Sequence, residues 1–462
     1  MLRPRRISAR ARVCAAVIAF FTLFGGPAAR ADDGTAVDQI VSILRQKGLI
    51  DEATGDEILA KQAKSEATHS EKTSAAAAPG LLDGFIFSGD LRIRDEQFWY
   101  DHGLGTAGAD DNNRVRYRAR FGFTKQVNPW ALVGVRLVSD TTDFNSTNVT
   151  VGQNSDFSYD SVFFDRIYAQ FLLPDPGEIG LKSTLTVGKM QNPFIWKNGL
   201  DRMIWDEDIA PEGIALSSNY SPTENSKLWT NLAYYTELQN ASTVDPRIYA
   251  YQVGGSVKVT ESVEAGLRAS FYDFINLAND ANTASPAHTG FFARSESNGN
   301  LPTAFDPDLK LVESSTYVSW TGVDGWPLLV WASWIQNIAA NSGVVNGVFV
   351  GDNNTAWGFG AEIGDAKKIL RVGAAWQHVE ANSVSAQYTD SDMFDQKTNR
   401  EGFALYGYRE VATNTELRLT LWDGHTIKST ASGAGNGPFN ISTGTDSQAN
   451  RLRLQADMNF KY

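Results

Sequence analysis

Arg114, Arg116, Arg118 and Arg120 stand at alternate positions in the run RVRYRARFGF, a spacing that puts four guanidinium groups on one face of an extended strand. Val115, Tyr117, Ala119, Phe121 and Phe123 share the other face. If the strand crosses a membrane the arginines must point inward, because a cation facing hydrocarbon costs about 2–4 kcal/mol near the midplane. The same parity turns Arg92 and Arg94, Arg136, and Arg451 and Arg453 inward on three further strands. Where the last strand pairs with the first to close a cylinder, these nine arginines fall on four neighbouring strands as one basic wall. Charges of one sign packed this densely repel one another and need a counter-charge or a passing anion.

Two sources of counter-charge are visible. Asp90, Glu96 and Asp457 share the arginines' register, and with them the wall is merely the wetted face of a large barrel. The second source is the segment 191–211, QNPFIWKNGLDRMIWDEDIAP. Its Phe194, Ile195, Trp196, Leu200, Met203, Ile204 and Trp205 are too much apolar surface to leave in water, so it is expected to fold inward. That would turn Asp201, Asp206, Glu207 and Asp208 toward the arginines as a constriction loop.

Catalytic chemistry has little support. His69, His102, His288, His378 and His425 are scattered, with no HExxH and no pair at ligand spacing. No serine or aspartate nucleophile is placed with a base, and glycine-rich stretches such as GAGNG lack the strand-to-helix setting of a phosphate loop. The expectation is no catalytic residue, no metal and no cofactor, in a protein that is not an enzyme.

The elements that must hold the arginines are strands. From Arg451 to Tyr462 the chain alternates without error, with Leu452, Leu454, Ala456, Met458, Phe460 and Tyr462 on one face and polar residues on the other. About sixteen such segments follow Phe85, near 85–100, 112–126, 130–141, 161–173, 181–191, 212–220, 226–238, 246–260, 261–275, 309–320, 327–340, 354–364, 367–380, 400–412, 413–424 and 449–462. Connections after even-numbered strands are short and those after odd-numbered strands long, polar and rich in Asn, Asp, Gly and Ser, which is the two-rimmed pattern of a membrane barrel. A mean hydropathy of -0.28 agrees, since only alternate residues of a barrel strand meet lipid. The 12 tryptophans, 15 tyrosines and 25 phenylalanines suit aromatic girdles, although a secreted carbohydrate-binding β-protein would also be rich in them.

Ahead of the strands lie two further regions. Residues 1–31 carry arginines, an apolar run and Ala29-Arg30-Ala31, and read as a signal peptide that takes Cys14, the only cysteine, with it. Losing its six arginines moves the formal charge from -12 to -18, which argues against nucleic acid as a partner. Residues 32–79 read as a short helical periplasmic segment, with Val37, Ile40, Val41 and Leu44 at helical spacing, followed by a linker over 66–79. Residues 80–462 are expected to form an all-β, transmembrane antiparallel β-barrel.

The aromatic-ended last strand resembles the terminal strand of bacterial outer-membrane barrels, where it is an assembly signal. LRQKGLIDEATGDEIL resembles the N-terminal helical element of the bacterial putative porins, and VGKMQNPF with DEDIAPEGIAL resembles the same stretch in the putative and phosphate porins. An inward loop opposite an arginine ladder is similar to the constriction of general diffusion porins. The resemblance implies a porin of the bacterial cell outer membrane, surrounded by lipid and lipopolysaccharide, that passes small hydrophilic solutes or ions, with a homotrimer as the family's expected assembly. The alternative is a surface adhesin or sugar-binding barrel acting through its long outer loops. Because 32–79 contributes no strand, deleting it should leave a barrel that still runs as a folded band on an unheated detergent gel. Loss of that band would make the segment part of barrel assembly.

Overall fold

In the computed structural model, the described residues are 82–101, 112–140, 145–153, 159–195, 201–237, 239, 244–276, 309–322, 326–345, 348–428 and 450–462. The expected signal peptide and the expected helical segment lie outside them. Sixteen long strands follow in chain order: β1 (Phe85–Asp101), β2 (Asn112–Asn128), β3 (Ala131–Asp140), β4 (Ser161–Leu173), β5 (Lys182–Lys189), β6 (Glu212–Thr223), β7 (Ser226–Thr236) and β8 (Arg247–Lys258). The second half comprises β9 (Val263–Ile275), β10 (Leu309–Trp320), β11 (Leu328–Asn337), β12 (Thr355–Gly364), β13 (Arg371–Val379), β14 (Arg400–Ala412), β15 (Thr415–Thr426) and β16 (Asn450–Lys461).

Each strand pairs with its neighbours in the chain, and β16 pairs antiparallel with β1 to close the cylinder. Closure satisfies the edge hydrogen bonds that lipid cannot, which is why an alternating sheet can span a membrane only as a barrel. At the seam Tyr462 exchanges backbone hydrogen bonds with Gly89 at 2.9 and 3.1 Å, and its ring lies where a Cβ on residue 89 would sit, 2.5 Å away. Only glycine leaves room there.

The short connections, 129–130, 174–181, 224–225, 259–262, 321–327, 365–370 and 413–414, gather on one rim and the long loops on the other. Burial alternates as the parity requires. On β10, Leu309, Leu311, Glu313, Ser315 and Tyr317 are buried while Ser314, Thr316 and Val318 are exposed. The exposed register carries Leu228, Val253, Leu267, Val330, Trp334 and Phe359, the surface a hydrocarbon layer would cover.

The inward register is not polar throughout: Ile248, Tyr272, Phe274, Leu309, Leu311 and Ile335 point inward and are buried. They pack against long loops that fold into the barrel, so this part of the interior is a core.

Cysteines at Val115 and Ala119, which are exposed on the outer register, should be quenched by lipid-borne probes. A cysteine at Arg120, which borders an interior cavity, should react with a small water-soluble reagent. The opposite labelling pattern would mean a register displaced by one residue, which inverts every side chain on the strand.

Candidate functional site

All nine arginines singled out by parity lie on β1, β2, β3 and β16, and the structure gives each a partner. Arg94 holds Asp457, its cross-strand partner, by two bonds of 2.6 and 2.8 Å, and reaches Asp392 at 2.9 Å. Glu96, fully buried, is shared by Arg114 and Arg453, with Arg94 at 3.7 Å and Arg116 at 3.8 Å. Asp90 takes Arg118 at 3.1 Å and Arg120 at 2.7 Å. Arg136 pairs with Asp165, the residue that the β3–β4 register shift leaves without a cross-strand partner. Arg451 pairs with Asp395, and Arg453 reaches Asp392 at 3.1 Å. Arg92 differs: its guanidinium donates to the Asn148 side chain at 3.1 and 2.5 Å and makes no ion pair among the described residues. Removing Glu96, which is fully buried and lies within 4 Å of four arginines, would leave buried charge uncompensated, a change that costs about 3–5 kcal/mol where the pair is fully desolvated.

The first counter-charge is therefore the wall's own. Asp90 and Glu96 flank Arg92 and Arg94 in the inward register of β1, so one strand face carries both signs.

The described residues of the third outer loop, between β5 and β6, are largely buried. Phe194, Met203, Ile204, Trp205 and Ile209 are buried with the inward apolar residues of β7 to β13, and Trp205 stacks beside Phe274 at 6.1 Å. Trp196 and Leu200 lie outside the described residues. Its four acids go to different places. Asp208 meets the wall, 3.2 Å from Arg118 and 3.8 Å from Arg120. Asp201 turns to the opposite side, where Arg268 binds it at 3.0 Å, Glu313 at 2.7 Å and the Phe194 carbonyl at 2.8 Å. Glu207 pairs with Arg202 of its own loop at 2.7 Å. Asp206 accepts the Ser391 backbone N–H at 2.7 Å. Of the four acids expected to face the arginines, Asp208 forms ion pairs with the wall, Glu207 borders the same cavity as the wall arginines while pairing with Arg202, and Asp201 and Asp206 are held by Arg268 and by the backbone of a second loop.

That second loop, 380–399 between β13 and β14, was not anticipated. It is buried through Val384, Tyr388, Met393 and Phe394, and it delivers Asp392 and Asp395 to the wall. Tyr388 packs on Trp205 at 5.4 Å, and its carbonyl accepts the Asp206 N–H at 2.7 Å. Residues 145–149 of the loop before β4 are buried too, with Thr147 donating to Asp208 at 3.2 Å. Two further arginines also escaped notice. Arg166 stands opposite Arg136 on β4, and Arg418 lies on the inward face of β15 between Glu416 and Thr420. Parity on TELRLTLW would have found Arg418, whereas the shift of register around Asp165 hides Arg166.

In the docked loops charge and burial compete. Burial opposes ionisation of Asp208, but Arg118, Arg92 and Arg120 overcome it and hold the carboxyl below its usual range. Asp392 is held down in the same way by Arg94, Arg453 and Arg92. Burial pushes the Asp390 carboxyl up to about 6, although Arg202 acts against the shift, and Asp206 is raised by burial and by the Asp390 charge. Toward the short-turn rim the interior opens into a cavity of about 540 Å³ bordered by Arg92, Arg94, Arg118, Arg120, Arg136 and Arg418. A second, of about 400 Å³, shares Arg202 and Arg418 with it. His378 and His425 each bond one carboxylate, Glu401 at 2.9 Å and Asp423 at 2.7 Å.

A closed antiparallel barrel with an apolar outer face and a charged interior has the architecture of a membrane-spanning β-barrel. Residues 105–305 match the family described as "Putative porin". Among solved structures the chain is similar to Pseudomonas putida OprB, at 12% identity over 83% of this chain and 95% of that one, TM-score 0.48. It is also similar to Salmonella typhi OmpF, at 10% identity over 82% and 97%, TM-score 0.45, and to a triple mutant of the Rhodopseudomonas blastica porin, at 9% over 82% and 100%, TM-score 0.39. No curated protein sequence matches.

A raised carboxyl pKa has a signed consequence. Between about pH 4, where an unfolded aspartate ionises, and about 6, folding takes up a proton at Asp390, so its contribution to stability is present below that window and is lost as pH rises through it. Asp390→Asn keeps an oxygen for the Asp392 and Met393 backbone N–H groups and should flatten the decline in thermal stability across that window in detergent. An unaltered pH profile in the variant would contradict the assignment.

Proposed function

We propose that the barrel passes small hydrophilic solutes and ions by passive diffusion, along a route lined by Arg92, Arg94, Arg114, Arg116, Arg118, Arg120, Arg136, Arg451 and Arg453. The observation that carries this reading is the meeting of Arg118 and Arg120 with Asp208 beside a cavity bordered by the same arginines. Opposed charges across a narrow lumen make a transverse field that orders water and favours polar solutes over apolar ones, without a conformational cycle. In this reading the chain sits among outer-membrane lipid and lipopolysaccharide, assembles as a homotrimer and catalyses no reaction.

A second reading keeps one support. Loop residues of 145–149, 190–194, 201–209 and 380–399 are buried inside the barrel, as a plugged adhesin or sugar-binding barrel would require.

Reversal potentials in a salt gradient test the electrostatic part. Asp208→Asn should shift them toward anions, and replacing Arg118 and Arg120 with glutamine should shift them toward cations. Both shifts should shrink at 1 M salt, where the Debye length is about 3 Å. No change in either variant would place these residues away from the conducting path.

A further inference from the structure

The cavity of about 400 Å³ on the short-turn side has a chemistry of its own, apart from the arginine wall. Arg418 stands with its guanidinium 5.6 Å from the ring centres of both Tyr406 and Tyr408, and it makes no ion pair among the described residues. Both acids of the cavity are engaged. Glu362 accepts Tyr406 Oη–H at 2.6 Å and lies 3.4 Å from Arg371, while Glu264 accepts Tyr317 Oη–H at 2.5 Å. Arg371 is spent on Glu362 and on the Tyr408 hydroxyl at 2.9 Å, and Arg202 on Glu207. Arg418 is thus the cation of this cavity that no carboxylate holds in an ion pair among the described residues, although Asp457 stands opposite it on β16, spent on Arg94, and Glu207, spent on Arg202, feels its charge.

The aromatic walls are preformed. Tyr406 lies against Gly373, and Tyr317 against Gly266; a Cβ would come within 2.4 and 2.2 Å of those rings. The two glycines therefore let the rings lie close on the barrel wall, where both line the cavity.

We propose that this cavity binds a small monocarboxylate with a flat apolar body, its carboxylate held by Arg418 and its body against Tyr406, Tyr408 and Tyr317. The guanidinium fork matches a carboxylate by two parallel hydrogen bonds, and its aromatic neighbours strengthen that pairing by excluding water. Glu264 and Glu362 repel a dianion such as phosphate, and the tyrosine faces favour a flat ring over a compact ion. The proposal deepens the reading of the barrel as a solute channel by naming a solute class, and it is tested without a current.

Full-length protein in detergent is titrated calorimetrically at neutral pH with benzoate, acetate, inorganic phosphate and benzyl alcohol. Benzoate should bind saturably, and each of the others at least about tenfold more weakly. Arg418→Gln should weaken benzoate by about tenfold or more, with the folded band on an unheated gel intact. Arg418→Lys keeps the charge, loses the fork and should also weaken it, which supplies the test if the glutamine variant does not fold. Tyr408→Leu should narrow the gap between benzoate and acetate. Absence of saturable benzoate binding to the folded protein, phosphate binding as tightly as benzoate, or unchanged affinity in a folded Arg418 variant overturns the proposal. Benzoate binding that depends on Arg418 in a barrel passing no current would overturn the channel reading and leave this site standing; a conducting barrel that ignores benzoate would do the reverse.

Discussion

Nine arginines on four adjoining strands can be packed side by side only if carboxylates come to meet them, and the source of those carboxylates decides how the interior is organised. Part of the supply is local. Asp90, Glu96 and Asp457 sit in the same inward register, so pairing them takes no chain rearrangement. The remainder arrives on loops. Asp208, Asp392 and Asp395 are carried to the wall by the third and seventh outer loops, and each is held ionised against burial by the arginines it meets.

The opposite side of the barrel makes that arrangement possible. There the inward faces of β8 to β11 present Ile248, Tyr272, Phe274, Leu309, Leu311 and Ile335, a surface against which Phe194, Trp205 and Tyr388 bury. Dispersion and apolar burial thus anchor the loops on one side while ion pairing anchors them on the other. Arg268 adds a latch between the two, since it binds Asp201 of the loop, Glu313 of the strand and a loop carbonyl together. The loops share contacts as well, through Asp206 with Ser391 and Tyr388. Movement of one would disturb the other.

Much of this was legible beforehand. Strict alternation on β1, β2 and β16 put the arginines of each strand on one face, and the contrast of short and long connections gave strand number and rim. The third loop announced itself because Phe194, Ile204 and Trp205 crowd a short span. Loop 380–399 did not, because its apolar residues are spread among Ser, Asp, Asn and Gln and read as a solvated tip. Its burial depends on Trp205 and on wall arginines distant in the chain, and no local pattern encodes that. Asp201 and Asp206 were misdirected for the same reason: their partners, Arg268 and the backbone of Ser391, are tertiary. The inward burial of Leu309 and Leu311 likewise depends on the docked loops, which no local pattern on the strand encodes.

The central claim is that these loops narrow the barrel without sealing it. Single-channel recording of the purified full-length protein in a planar bilayer tests this most directly. The account predicts discrete, voltage-independent conductance steps that scale with salt concentration. A protein that inserts as a folded, heat-modifiable barrel and yet passes no current would contradict it, and the docked loops would then be a plug.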